Sequence, residues 1–226
     1  MISTGSRVID EALGGGFPLG ALILIYGEAG IGKTTLLMQT CLEYSLQGSS
    51  FLYVDCLGKI KPKRILSLLK RLKCNTLNNG FILPIYDFNE LYNFVMLLEK
   101  FVSPKLRLIV FDTITRPYRA RLGSRASNVR LNRLLNRILA FLFKLSRYYK
   151  ITILLSSDIR FSIKEGRWEP IASSILCYWC DIILRLERAN TSNVFLVIEK
   201  HPISSLVNRK VKCRLVETGI EGIEII

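Results

Sequence analysis

The sequence predicts an α/β fold with a mostly parallel central sheet, helices on both of its faces and an antiparallel extension at its C-terminal end. Three observations carry that prediction. Short, β-branched, continuously apolar runs recur along the chain, and strands buried on both faces read this way. Helical patterns separate the early runs, and strand–helix–strand alternation implies parallel crossovers. The final apolar runs follow one another without helices, so the last part of the sheet is expected to run antiparallel.

The elements follow in order. Residues 22–26 (Leu-Ile-Leu-Ile-Tyr) form the first buried strand, and 34–46 read as the helix that returns from it. A second strand at 51–55 precedes helical patterns at 62–72 and 88–101. The run 106–112 ends in a carboxylate, Asp112. A long helix is expected at 128–149, where Leu131, Leu134, Leu135, Ile138 and Leu142 make an apolar stripe. Strands at 151–156, 182–186 and 194–198 complete the pattern. No repeat, low-complexity tract or Pro/Ser-rich linker divides the chain, so 1–226 is expected to be a single domain.

Composition narrows the function. The 226 residues are half apolar and 22% charged, a globular balance that excludes a disordered or fibrous chain. A net charge of +14 points to a polyanionic partner and away from a basic substrate. The N-terminus lacks a basic region followed by an apolar core, and no run reaches the length of a membrane span. Six scattered cysteines, several within apolar runs, read as reduced core residues; Cys177 and Cys180 form the one close pair, too few ligands for a structural zinc. A soluble cytoplasmic protein with no membrane partner is expected.

Gly27-Glu28-Ala29-Gly30-Ile31-Gly32-Lys33-Thr34 matches G-x-x-x-x-G-K-[ST] in full, between a predicted strand and a predicted helix. Glycines let backbone N–H groups curl around a phosphate, and the positive end of the helix faces the anion. Lys33 supplies a full charge to the β- and γ-phosphates; Thr34 is placed for Mg²⁺, with Thr35 beside it in the nucleotide-binding set. Asp112, ending an apolar strand, suits a carboxylate that holds Mg²⁺ through water. Thr34 and Asp112 are therefore the expected metal residues, and nucleotide with Mg²⁺ the expected cofactor.

Beyond the loop the chain resembles a known family. Ile2-Ser3-Thr4-Gly5-Ser6, Ile9-Asp10-Glu11, Leu13-Gly14-Gly15-Gly16 and Gly20 look like the segment leading into the phosphate loop of RecA-superfamily recombinases. The likeness is greatest to archaeal RadA and its short paralogue RadB. It continues through Tyr53-Val54-Asp55, residues 111–115, 118–120 and 181–186, and the ending 216–221. The resemblance implies a RecA-like P-loop NTPase core that takes ATP and Mg²⁺. RadA carries an additional N-terminal DNA-binding domain, and this chain starts at the ATPase core, so a paralogue of the RadB kind is expected rather than a filament-forming recombinase.

Two departures bear on catalysis. In the family the second strand is followed by D-T-E-G, whose Glu polarises the attacking water; here Asp55-Cys56-Leu57-Gly58 places Leu57 at the general-base position. The strand that ends in N-Q in the family, its Gln sensing the γ-phosphate, ends here in Ser157-Asp158. Losing a general base typically costs about 10²–10⁴ in rate. ATP binding with weak or absent hydrolysis is expected, and the catalytic residue is unknown.

Between Asp112 and Asp158 there is no acidic residue, while ten Lys and Arg are present. In the resemblance Arg119, Arg121 and Arg125 fall in the first DNA-binding loop, and Lys164 and Arg167 in a second, 160–170, where Trp168 could stack on a base or pack internally. Arg130, Arg133 and Arg137 have the spacing of a solvated helix face, with DNA contact the alternative. The cluster Lys59, Lys61, Lys63, Arg64, Lys70, Arg71 and Lys73 reads as a solubilising face or a partner surface. Lys200 and His201 either end a strand before Pro202 or reach a neighbouring subunit's nucleotide.

The expected function is an ATP-binding accessory protein of homologous recombination and DNA repair. Its expected partners are single-stranded or branched DNA, the cognate recombinase or other repair proteins, and copies of itself in a homo-oligomer. An autonomous DNA-dependent ATPase and a KaiC-type regulatory ATPase acting on proteins are the alternatives.

Overall fold

The computed structural model describes residues 1–58, 60, 65–67, 69, 79–190 and 193–226. Eleven strands are described: β1 Leu22–Gly27, β2 Ser50–Asp55, β3 Gly80–Pro84, β4 Leu106–Asp112, β5 Thr152–Ser157, β6 Ile159–Ser162, β7 Arg167–Pro170, β8 Ile182–Arg188, β9 Asn193–Lys200, β10 Lys210–Val216 and β11 Gly219–Ile225. Nine of them form one sheet in the order β11-β10-β9-β8-β1-β5-β4-β2-β3. From β3 to β8 neighbouring strands are parallel; β8-β9-β10-β11 is an antiparallel meander. The fold is therefore the RecA-like α/β arrangement expected, antiparallel extension included.

Alternation along β1 shows why the sheet is covered on both sides. Ile23 and Ile25 point into one core with Leu36, Leu37 and Leu42 of α2 (Lys33–Leu46). Leu22 and Leu24 point into the other, with Leu135, Ile138 and Leu142 of the long helix Arg125–Tyr149. All six β1 residues are buried, as a central parallel strand requires.

The remaining helices are α1 (Arg7–Ala12), α3 (Phe88–Leu97), α4 (Thr115–Ala120), α5 (Arg125–Tyr149) and α6 (Ser173–Trp179). The expected helix at 88–101 divides into α3 and a 3₁₀ turn, Leu98–Phe101. The Asp87 side chain starts α3 by accepting the N–H groups of Asn89 at 2.7 Å and Glu90 at 3.2 Å. The long helix begins three residues earlier than expected, because Ser124 caps it. Of the helix expected at 62–72 only 65–67 and 69 are described, all helical, and the basic cluster from Lys59 to Lys73 lies outside the described residues. Residues 160–170, expected to be a loop, belong largely to a β-hairpin: β6 and β7 pair antiparallel from Ile159↔Pro170 to Ser162↔Arg167. Among the described residues no helix is long and apolar enough to cross a membrane.

Candidate nucleotide site and basic loops

The phosphate loop runs from the end of β1 to the first turn of α2, at the C-terminal edge of the parallel strands, where ligands of open α/β sheets bind. Its glycines are structurally required. Gly30 adopts φ +80° and Gly32 φ +106°, conformations a residue with a Cβ rarely takes, and a Cβ at Gly27 would lie 2.4 Å from the Leu186 carbonyl oxygen. The loop borders a cavity of about 520 Å³. Lys33, Thr34 and Thr35 line it with Leu57, Arg116 and Asp158.

Lys33 is buried and donates to the carbonyls of Gly27 and Glu28 and to Asp158 Oδ1, each at 2.8 Å. Asp158 thus forms an ion pair with the loop's own cation. The Thr34 hydroxyl donates to Asp112 Oδ2 at 2.6 Å. Asp112 is itself buried and held by the Tyr53 hydroxyl at 2.7 Å and by Ser156 Oγ. Burial, and then the neighbouring Asp112 charge, push the Tyr53 hydroxyl well above its ordinary value, so it stays a donor. The pairing of β2 with β4 sets Asp55 opposite Asp112, and that of β4 with β5 sets Phe111 opposite Leu155, one residue before Ser156. Sheet register therefore positions both of Asp112's additional donors.

These residues fit Mg²⁺ and a nucleotide triphosphate. A hydroxyl and a carboxylate in contact are hard oxygen donors suited to a hydrated Mg²⁺, and the glycine cradle leaves backbone N–H groups free of Cβ atoms. Thr34 and Asp112 would hold the ion, which would offset charge on the β- and γ-phosphates.

Leu57 is the residue at the position where the resemblance expects a base. Leu57 lines the cavity. Asp55, two residues earlier, spends its carboxylate on the loop that follows β2: Oδ1 accepts from the N–H groups of Leu57 and Gly58, each at 2.9 Å, and Oδ2 from Ile60 N–H at 3.2 Å. Arg116 is a cavity residue that sequence reasoning placed only in the basic stretch. Its position four residues beyond Asp112, where the chain turns from β4 into α4, was the available signal.

The loop cations are all exposed and differ in their partners. Arg121 donates to Asp87 Oδ2 at 2.6 Å, and the guanidinium holds that carboxyl below its usual range. Arg119 faces a cavity of about 450 Å³ between α4 and the hairpin, together with Arg160. Arg160 is ion-paired with Glu169 at 2.9 Å. Arg125 is the first residue of α5, in a first helical turn without an acidic residue. Lys164 and Arg167 sit on the hairpin, where Trp168 and Phe161 meet edge to face at 5.4 Å with half of each ring exposed. Lys200 caps the end of α6 by donating to the Cys177 carbonyl at 3.1 Å and that of Cys180 at 2.6 Å, which accounts for a basic residue there within the chain itself.

Comparison with known proteins agrees with this architecture. The Rad51 family model matches residues 1–222. The DNA repair and recombination protein RadB of Thermococcus sibiricus is 32% identical over 230 residues, covering 99% of this chain and 96% of that protein. RadB of Thermococcus kodakarensis is 32% identical over 228 residues, covering 99% and 100%. A crystal structure of the RadB recombinase superposes with a TM-score of 0.84 at 31% identity, covering 99% of this chain and all of that one. Matched by the Rad51 family model over nearly its whole length and by RadB proteins at 32% identity, the chain belongs to the Rad51 family, on its RadB-like side.

Proposed function

We propose that this chain is a RecA-like recombinase paralogue that assists homologous recombination and DNA repair, binding Mg·ATP at residues 27–35 with Asp112 and binding DNA through its basic loops. ATP acts mainly as a ligand that sets conformation, with slow or no hydrolysis. The observation that carries the reading is the combination at one cavity of a complete phosphate loop, the Thr34–Asp112 contact at 2.6 Å, and an apolar side chain, Leu57, where a water-activating carboxylate is needed. Positioning and charge neutralisation survive that substitution; activation of water does not.

Arg119, Arg121, Arg125, Lys164 and Arg167 are the proposed DNA contacts. Two facts support them. The cavity bordered by Arg119 and Arg160 brings the first loop and the hairpin to a common space. Arg125 stands at a helix N-terminus, where a cation is disfavoured by the helix dipole, and a bound phosphate would relieve both. DNA, the cognate recombinase or other repair proteins, and further copies of the chain are the proposed partners, and the cytoplasm the proposed location.

The test is Mg·ATP binding by calorimetry and turnover with and without single-stranded DNA. Binding with negligible turnover is expected, and Lys33→Ala should weaken binding at least about tenfold, the scale of a lost charge-assisted contact. Unchanged binding in that variant overturns the nucleotide site. Brisk DNA-stimulated turnover favours an autonomous ATPase, and an absence of DNA binding at low salt favours a regulator of proteins.

A further inference from the structure

The exposed face of α5 carries a cationic ridge that the loops do not account for. At 100° per residue, Arg130, Arg133, Arg137 and Lys144 fall within about 60° of one another around the helix. They lie opposite the buried stripe of Leu131, Leu135, Ile138 and Leu142. The four cations span about 21 Å along the axis at 1.5 Å per residue, and Arg125 stands at the start of the helix, rotated about 110° from their mean direction. All five are exposed.

A solvated helix face ordinarily interleaves both signs, because Glu–Lys pairs at i,i+4 stabilise it and like charges there do the reverse. Here the 25-residue helix contains no acidic residue. Acids on neighbouring elements are already engaged at its ends: Asp181 with Arg147 at 2.5 Å, Asp87 with Arg121 at 2.6 Å, and Glu99 with the Tyr149 hydroxyl at 2.8 Å. Among the described residues Arg130, Arg133 and Lys144 have no carboxylate partner, and Arg137 lies 6.0 Å over the Tyr92 ring. Among the described residues no carboxylate therefore offsets the repulsion along the ridge.

We propose that this face is a second DNA surface, distinct from the loops, that takes the phosphate backbone of a duplex. Duplex rather than single strand follows from what the ridge lacks. Single strands are gripped by aromatic platforms beneath unstacked bases; between Arg130 and Lys144 the helix exposes none, the first being Tyr148 one turn beyond, whereas the hairpin sets Trp168 and Phe161 together. Between Arg130 and Lys144 the exposed side chains are guanidiniums, an ammonium and the amides of Asn132 and Asn136, all of them donors suited to phosphate oxygens. Its straight length matches about six base pairs at 3.4 Å each. Because α5 begins where the first loop ends, a strand held by the loop and a duplex along the helix would meet near Arg125, the geometry of a single-strand to duplex junction.

The test compares Arg130→Gln/Arg133→Gln/Arg137→Gln with the full wild-type chain, by fluorescence anisotropy on a 20-base-pair blunt duplex and a 20-nucleotide single strand across a salt series. Duplex affinity should fall at least about tenfold at low salt, with the slope of log K against log salt shallower by about 2.7 units, while single-strand affinity changes by less than about twofold. The Arg→Lys triple variant, which keeps the charges, should retain most of the wild-type slope. An unchanged duplex slope, an equal loss on both substrates, or no duplex binding by the wild type overturns the proposal. Failure of the loop assignment is separate: it would appear as single-strand binding that survives replacement of Arg119, Arg121 and Arg125.

Discussion

Leu57, Asp158 and Arg116 set the character of the proposed nucleotide site, and each acts in a different way. Lys33 is shared between two carbonyls and Asp158, so an incoming phosphate competes with a carboxylate for the same cation. That pair is largely buried, 6% exposed on the lysine side chain and 23% on the aspartate, so solvent screens it little. Asp158→Asn keeps the shape and removes the competing charge, so Mg·ATP affinity measured by calorimetry should rise about fivefold. Leu57→Glu supplies the missing carboxylate and should raise steady-state turnover at least about tenfold, short of the full 10²–10⁴ of an intact general base. The rescue is partial because Asp158 still neutralises Lys33 and places a like charge near the phosphate; adding Asp158→Gln should raise turnover further. Brisk hydrolysis by the wild type that Leu57→Glu leaves unchanged would place the water-activating group elsewhere, for instance on Glu28 or a neighbouring subunit. Arg116→Ala, removing the cavity's second cation, should weaken ATP more than ADP in the same titration. The parts of this site that lie in a contiguous motif could be read from the sequence. Tyr53, Ser156 and the Lys33–Asp158 pair could not, because they meet only through sheet register.

Elements were legible in proportion to their burial. The central strands and α5 show in the sequence because continuous or stripe-like apolar patterns are what two-sided or one-sided burial demands. The edge strand β3 did not, since none of its residues is fully buried, Phe81 is 64% exposed, and it ends at Pro84. Six-residue α1 is too short to show a helical period, and the hairpin β6–β7 has its rings outward, which blurs any apolar alternation. Burial also says where the fold is vulnerable. Leu142 is fully enclosed beneath α5, against Leu22, Leu24 and their neighbours on the sheet. Leu142→Ala should cost about 2–5 kcal/mol, read as a fall in thermal midpoint of roughly 4–20 °C for a chain of this size. A midpoint unchanged within about 2 °C would mean that α5 is not anchored by this contact.

Over the whole molecule, a net charge of +14 draws polyanions from a distance, and the pairing of individual arginines decides how much of it is usable. Each single-strand phosphate neutralised contributes about 0.7 to the slope of log K against log salt. Replacing Arg119, Arg121 and Arg125 together by Gln should therefore flatten the single-strand slope by about 1.4 to 2.1 units. The lower figure applies if Arg121 stays with Asp87 in the bound state, since that pair, at 2.6 Å, already satisfies the guanidinium. Asp87 has two roles that a substitution can separate: it caps α3 through Oδ1 and holds Arg121 through Oδ2. Serine caps a helix about as well as aspartate but carries no charge. Asp87→Ser should leave the thermal midpoint nearly unchanged while freeing Arg121 for phosphate, which makes the single-strand slope steeper by about 0.7 and tightens binding at low salt. The opposite result, a slope that stays at the wild-type value with α3 intact, would show that Arg121 already leaves Asp87 for the strand, or that the strand never reaches it; adding Arg121→Gln to Asp87→Ser separates the two, because only in the first case does the slope then fall.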